Sequence, residues 1–295
     1  MFENVVVDAP HPVLTVTGRG LPQAWERSIQ TLMTFGQLVP TQYDRPGDPK
    51  SVDAMMVMVV VAPLLEPRIH GFFPGGPDDL EEYCLEVCRG VKDHWVRDPN
   101  DPEDKRWGYT YHGRLVKDFG VDQVKKLIDK LVEDPAGRQA QATIWNPRAD
   151  PGDTHSPCCQ RLWVRLVEDP RDVGTFNATA HIYFRSRDAL QAAFMNAFAF
   201  IRFFDEEILR PVQDRLIARG KATAVRFAQY VDVSDSYHVY GKDIAEGKVK
   251  AFANSLGKRY TYHQENEPWA DIMRDARPAI RSKIEAQDKQ RGTRR

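Results

Sequence analysis

Apolar positions along the chain follow two periods. Leu162-Trp163-Val164-Arg165-Leu166 and Ala180-His181-Ile182-Tyr183-Phe184 alternate as half-buried strands do, and Glu168 to Gly174 between them reads as a turn. This predicts a hairpin or meander with Cys158 and Cys159 just before one strand and Arg185, Ser186 and Asp188 just after the next. Val5–Val7 and Val13–Val16 form a plausible edge pair, 54–62 a buried strand and 140–145 a further one. A strand over 222–233 is followed by His238 and Tyr240, which alternate and so point the same way. Helical spacing predicts helices over 21–37 (Trp25, Ile29, Leu32), 78–95 (Leu80, Cys84, Val87, Trp95), 121–133 (Val124, Leu127, Leu131) and 189–209. Asp78-Asp79 suit the start of the second of these. Strands and helices together indicate an α+β protein.

Composition narrows the class. With 295 residues the chain fits one large domain, taken as 1–295, and can bury a substantial core. Its 41 basic and 42 acidic residues show no global bias toward nucleic acid or membrane, so neither is an expected partner. The start lacks the basic region and apolar core of a signal peptide, and four cysteines make no disulfide framework; both suggest the cytoplasm. Neither Cys-x-x-Cys nor His-x-x-x-His recurs, so no metal is expected. The tail over about 270–295 is strongly charged and ends Arg294-Arg295.

Against that background the chemistry-bearing residues collect around the predicted hairpin. A thiol, a guanidinium, a hydroxyl and a carboxylate at neighbouring edges of one sheet suit a nucleophilic cysteine beside an anion site. The plainer alternative is a pair of ordinary small buried cysteines. Arg45, in the turn-rich loop Tyr43 to Pro49, is either solvated or a mobile anion clamp. Asn196, set among Phe194, Met195 and Phe198, either bonds a neighbouring helix or reads a base edge, since its amide both donates and accepts. The stretch Trp107 to Leu115 is aromatic and glycine-spaced, unusual for a bare surface connection.

These pieces, in this order, resemble thymidylate synthase and its nucleotide-hydroxymethylase relatives over residues 40–243. Asp44-Arg45-Pro46-Gly47 looks like the family's phosphate-clamping loop, and Asp134-Pro135-x-x-Arg138 like the segment whose arginines reach the partner subunit's phosphate. Trp145-Asn146-Pro147, Pro157-Cys158 and Tyr183-Phe184-Arg185-Ser186-Arg187-Asp188 are similar to further family motifs, as is His238-Val239-Tyr240. Tyr109 to Leu115 looks more like the archaeal and phage-type branch.

The resemblance implies a large mixed β-sheet flanked by helices and a homodimer formed through that sheet, with shared active sites. It implies one-carbon transfer from 5,10-methylenetetrahydrofolate to C5 of a pyrimidine nucleoside 5′-monophosphate, with dUMP the first expectation. Cys158 would add to C6, its thiolate favoured by guanidiniums such as Arg185. Arg45, Arg185, Ser186 and the other chain's Arg138 would hold the phosphate. Asn196 would read the base, and His238 and Tyr240 the 3′-hydroxyl. Asp188 would orient the folate, Trp95 would wall its pocket or belong to the core, and Glu66 would move protons at C4 and C5.

Departures from the family pattern shape the expected product. Cys159 stands where histidine usually follows the nucleophile, Gln139 replaces a second arginine, and the charged tail differs from the family's apolar closing segment. A less sealed site favours water over hydride, hence a slight preference for 5-hydroxymethylation over reductive methylation. A cytosine nucleotide stays open because an asparagine amide can flip. A non-catalytic nucleotide- or RNA-binding regulator is the alternative from another class.

Overall fold

The computed structural model describes residues 10–98, 101, 103–104, 106–262, 274, 276–282 and 284–286. The expected strand at Val5–Val7 and the last residues of the charged tail lie outside these. In chain order the elements are β1 (Val13–Gly18), α1 (Leu21–Phe35), β2 (Gln37–Val39), β3 (Ser51–Val60), β4 (Ile69–His70) and α2 (Pro77–Arg89). Then come α3 (Tyr111–Val116), α4 (Gln123–Glu133), β5 (Gln141–Thr143), β6 (Cys159–Glu168), β7 (Thr175–Asp188) and α5 (Ala193–Phe203). A π-helical turn (Phe204–Leu209) leads into α6 (Arg210–Ala218), followed by β8 (Ala224–Val239), α7 (Gly241–Ala245), α8 (Lys248–Ala253) and β9 (Arg259–Tyr260).

Seven strands form one mixed sheet in the order β1-β3-β8-β7-β6-β5, with β2 on β3, while β4 and β9 pair separately. The β1–β3 and β7–β8 pairs are parallel; β3–β8, β6–β7 and β5–β6 are antiparallel. One face is the core, built from alternating residues such as Met56, Met58, Val164, Ala180 and Ile182. Helix α1 lays Leu21, Trp25, Ile29 and Leu32 on it, and Trp25 Nε1 donates to the Ala189 carbonyl at 2.8 Å. Helix α5 is apolar nearly all round and correspondingly buried. The opposite face carries Met55, Val57, Val59, Val231, Val233 and Tyr183, all only half-buried.

Several boundaries differ from the sequence reading, each for a local reason. The hairpin strands run longer than the apolar alternation, so Arg185, Ser186 and Asp188 lie within β7 and not after it. β8 continues to Val239, and Tyr240 caps α7 instead of belonging to a strand. α2 stops at Gly90, whose φ of 61° ends the helix in the left-handed region, and Asp93–Trp95 form a separate 3₁₀ turn. The helix predicted over 189–209 begins only at Ala193, because Asp188 Oδ1 accepts from Leu190 N at 3.0 Å and Gln191 N at 2.8 Å and sets a turn first.

A buried ionic cluster ties the small β4–β9 pair to α1. Glu26 Oε1 accepts from His70 Nε2 at 3.0 Å and Gly257 N at 2.7 Å, and Oε2 accepts from Arg259 at 2.7 Å. His70 Nδ1 accepts from Phe72 N at 3.1 Å, so the wholly buried ring is neutral with its proton on Nε2. Burial lowers the His70 pKa from its ordinary 6.5 against the pull of Glu26. Burial pushes the Glu26 carboxyl up, yet the Gly257 amide, Arg259 and His70 together bring it below its ordinary value. In both, the folded state binds fewer protons than the unfolded chain, so stability is fullest above pH 6.5 and falls as pH drops below it. Urea unfolding from pH 7.5 to 5 should show this decline; a flat profile would contradict it.

Candidate active site

The hairpin brings the backbones of Cys158 and Arg185 together. Cys158 precedes the first residue of β6, and Cys159 pairs with Phe184. The Arg185 amide donates to the Cys158 carbonyl at 2.8 Å. Its guanidinium clamps the loop before the thiol: Nε donates to the Pro157 carbonyl at 3.0 Å and Nη2 to that of Ser156 at 2.7 Å. Nη1 makes no hydrogen bond with any described residue. Of the four cysteines only Cys158 is partly exposed. Burial holds the Cys84, Cys88 and Cys159 thiols above their ordinary range, Cys84 up to about 12.

Around the thiol stand phenols. Tyr109, Tyr111 and Tyr240 all lie within electrostatic reach of Cys158, and the Tyr109 and Tyr111 rings are 5.8 Å apart. Burial, then the charges nearby, pushes Tyr109 and Tyr240 up to about 12, so both remain neutral hydroxyls. Asn196 on α5 donates through Nδ2 to the Tyr83 hydroxyl on α2 at 2.6 Å. That is the helix–helix bond foreseen as one reading, and the rest of the amide's capacity is left for a ligand.

Beside this group lies a cavity of about 270 Å³ lined by Tyr43, Asp53, Ser186, Ser236, His238 and Tyr240, among others. Strand register builds it. Asp53 on β3 faces His238 on β8, which neighbours Asp188 on β7, while Ser186 neighbours Ser236. Side chains level with each other on adjacent strands share a face, so these groups converge. The His238 and Tyr240 rings are 4.6 Å apart, and Tyr43 sets its ring edge-on to Tyr240 at 5.4 Å. The Tyr43 loop closes on α7 so tightly that a Cβ at Gly241 would meet the Pro49 carbonyl oxygen at 1.8 Å; only glycine fits. Asp188 is half-buried, and burial first and Asp243 second raise its pKa, opposed by two backbone amides and by His238.

Other expected residues stand elsewhere. Arg45 is exposed, its guanidinium 3.5 Å from the Glu246 carboxylate. Arg138 is exposed too; its carbonyl accepts from Trp163 Nε1 at 3.0 Å on the half-buried sheet face. Glu66 Oε2 accepts from the amides of Arg68 at 2.9 Å and Tyr262 at 3.1 Å, and neither bond leads to Cys158, Asn196 or the cavity. Trp95 is buried against Trp107, with centroids 5.6 Å apart, and does not line the cavity.

Sequence reasoning passed over Asp53, Ser236 and Tyr83. A charged residue at the head of the apolar run beginning at Ala54 was a signal for the first. Tyr83 carries no local signal of its own, and only the packing of α2 on α5 brings it to Asn196. The aromatic stretch after Trp107 did flag Tyr109 and Tyr111.

Comparison with known proteins points to one family. Residues 88–204 match the family model described as thymidylate synthase. A protein of Methanopyrus kandleri named "Putative thymidylate synthase" is 28% identical over 235 residues, covering 79% of this chain and 96% of that protein. One of the same name from Methanocaldococcus jannaschii is 24% identical over 237 residues, 77% of this chain and 91% of its own length. Another from Methanosarcina mazei is 28% identical over 144 residues, 48% of this chain and 59% of its own length. The family model and these relatives support the thymidylate synthase superfamily for this chain.

Among the described residues no helix is long and apolar enough to cross a membrane.

Proposed function

We propose that the chain transfers a one-carbon unit from methylenetetrahydrofolate to C5 of a pyrimidine nucleoside 5′-monophosphate, producing the 5-hydroxymethyl nucleotide. The observation that carries this reading is the single accessible cysteine, clamped by Arg185 beside a cavity holding Ser186, His238 and Tyr240. C5 of a pyrimidine is a poor nucleophile until a thiolate adds at C6 and converts the ring to an enolate. Cys158 is the thiolate in this reading. Arg185 Nη1 and Ser186 contribute to phosphate binding, joined by Arg45 once its exposed loop turns inward.

Asn196 takes the base edge, with uracil the base that its amide suits. His238 and Tyr240 take the sugar. The neutral phenols Tyr109 and Tyr111 stand where a proton at C4 or C5 has to be managed, and Glu66 would need to leave its backbone partners to share that work.

The folate fits one of its two expected holders. Asp188 Oδ1 is held by two amides, and Oδ2 makes no hydrogen bond with a described residue, so it can accept from a pterin N–H. Trp95, packed on Trp107, is better explained as core. When bound, the folate supplies the one-carbon unit. The uncovered sheet face, with Arg138 alongside it, suits pairing with a second copy whose site Arg138 would complete.

The test is incubation of the protein and methylenetetrahydrofolate with UMP, dUMP, CMP and dCMP, read by product mass. A hydroxymethyl product with tetrahydrofolate released is expected. A methyl product with dihydrofolate would assign reductive methylation instead. No product from folded protein would sink the enzymatic reading and leave a nucleotide-binding regulator.

A further inference from the structure

The cavity holds two buried polar atoms with no hydrogen-bond partner among the described residues: Asp53 Oδ1 and His238 Nε2. His238 is 7% exposed. Their other atoms are joined through one hydroxyl. Ser236 Oγ lies 2.8 Å from Asp53 Oδ2 and donates to it, since a carboxylate can only accept. Having given its one proton there, Ser236 can only accept from His238 Nδ1 at 3.3 Å. The imidazole proton therefore sits on Nδ1, which leaves Nε2 as an acceptor.

Two acceptors then face the cavity from adjacent strands, level with each other in register. A carboxylate here repels a phosphate dianion, so this end of the site takes neutral hydroxyl donors. A ribose offers two adjacent hydroxyls, at 2′ and 3′, whereas a deoxyribose offers one and would leave a buried acceptor without a partner. A site built to bond a hydroxyl discriminates strongly against the analogue lacking it.

Resting on the pyrimidine-nucleotide reading above, we propose that Asp53 selects for a 2′-hydroxyl, so that the substrate is a ribonucleotide, UMP before dUMP. His238 takes the 3′-hydroxyl and Asp53 the 2′-hydroxyl. This displaces the deoxyribose that family resemblance alone suggests.

The experiment is calorimetric titration of the full chain with UMP and dUMP, beside Asp53→Ala and Ser236→Ala, each checked for folding by thermal melting. UMP should bind at least about tenfold more tightly than dUMP. Asp53→Ala should bring that ratio toward one by weakening UMP, and Ser236→Ala should reduce it in part. Equal binding, tighter binding of dUMP, or a ratio untouched by Asp53→Ala would overturn the ribose assignment. The pyrimidine-nucleotide reading would survive any of those. Binding of neither nucleotide by folded protein would overturn the ribose assignment and the choice of uracil as the base.

Discussion

Replacing Cys158 by alanine is expected to cut C5 transfer at least roughly a thousandfold, or about 4 kcal/mol of transition-state stabilisation. Without addition at C6 the ring carbon has no route to nucleophilicity, and no other thiol can take over. Cys159 is adjacent in sequence but 0% exposed on the core side of β6, and burial holds its thiol protonated. Serine at 158 should rescue little, because a hydroxyl is a weak nucleophile at neutral pH. The same variants should form no denaturation-resistant adduct with a 5-fluoropyrimidine nucleotide plus folate, which the unaltered protein should trap. Retention of a tenth or more of the activity by Cys158→Ala would remove Cys158 from the mechanism.

The second large effect lies beneath the site. Arg187 and Asp232 are 3% and 2% exposed and form a buried ion pair between β7 and β8. Asp232 Oδ2 accepts from the Tyr230 hydroxyl at 2.7 Å, and Arg187 Nη2 donates to the Ala193 carbonyl at 2.8 Å, at the start of the helix that carries Asn196. The guanidinium also sits 4.1 Å from the Phe184 ring centre. Asp232→Ala leaves this cation buried without its counter-ion and should cost about 3–5 kcal/mol in urea unfolding. Exchange of both partners for apolar residues, Arg187→Met with Asp232→Leu, should recover most of that loss, since neither charge is then stranded. A loss under about 1 kcal/mol for Asp232→Ala would mean that water reaches the guanidinium.

The pair also bears on function. It lies within the β7–β8 register that levels Asp188 with His238 and Ser186 with Ser236, so a slip there would scatter the cavity wall.

Much of this was legible along the chain. Period-two alternation marked the hairpin at 162–166 and 180–184, because each strand shows one face to the core and the other outward. Short motifs marked Cys158, Arg185, Ser186, Asp188, Asn196, His238 and Tyr240, each set by local chemistry within a few residues. Residue 66 was less readable. A glutamate between apolar and proline-rich segments looks free for proton transfer until the fold sets Arg68 and Tyr262 amides on it. Arg138 could be read as a phosphate ligand from its segment, but its place on the uncovered face follows from strand order.

What the sequence determined by itself was the sheet-and-helix pattern, the superfamily resemblance and the choice of Cys158 as candidate nucleophile, since these rest on periodicity and contiguous motifs. Tertiary structure alone decided what meets across long separations. It set Asp53 level with His238, 185 positions away, and Tyr83 against Asn196, 113 positions away. Which acceptors are buried together, and therefore which sugar satisfies them, depends on strand register and helix packing, and no local pattern encodes either.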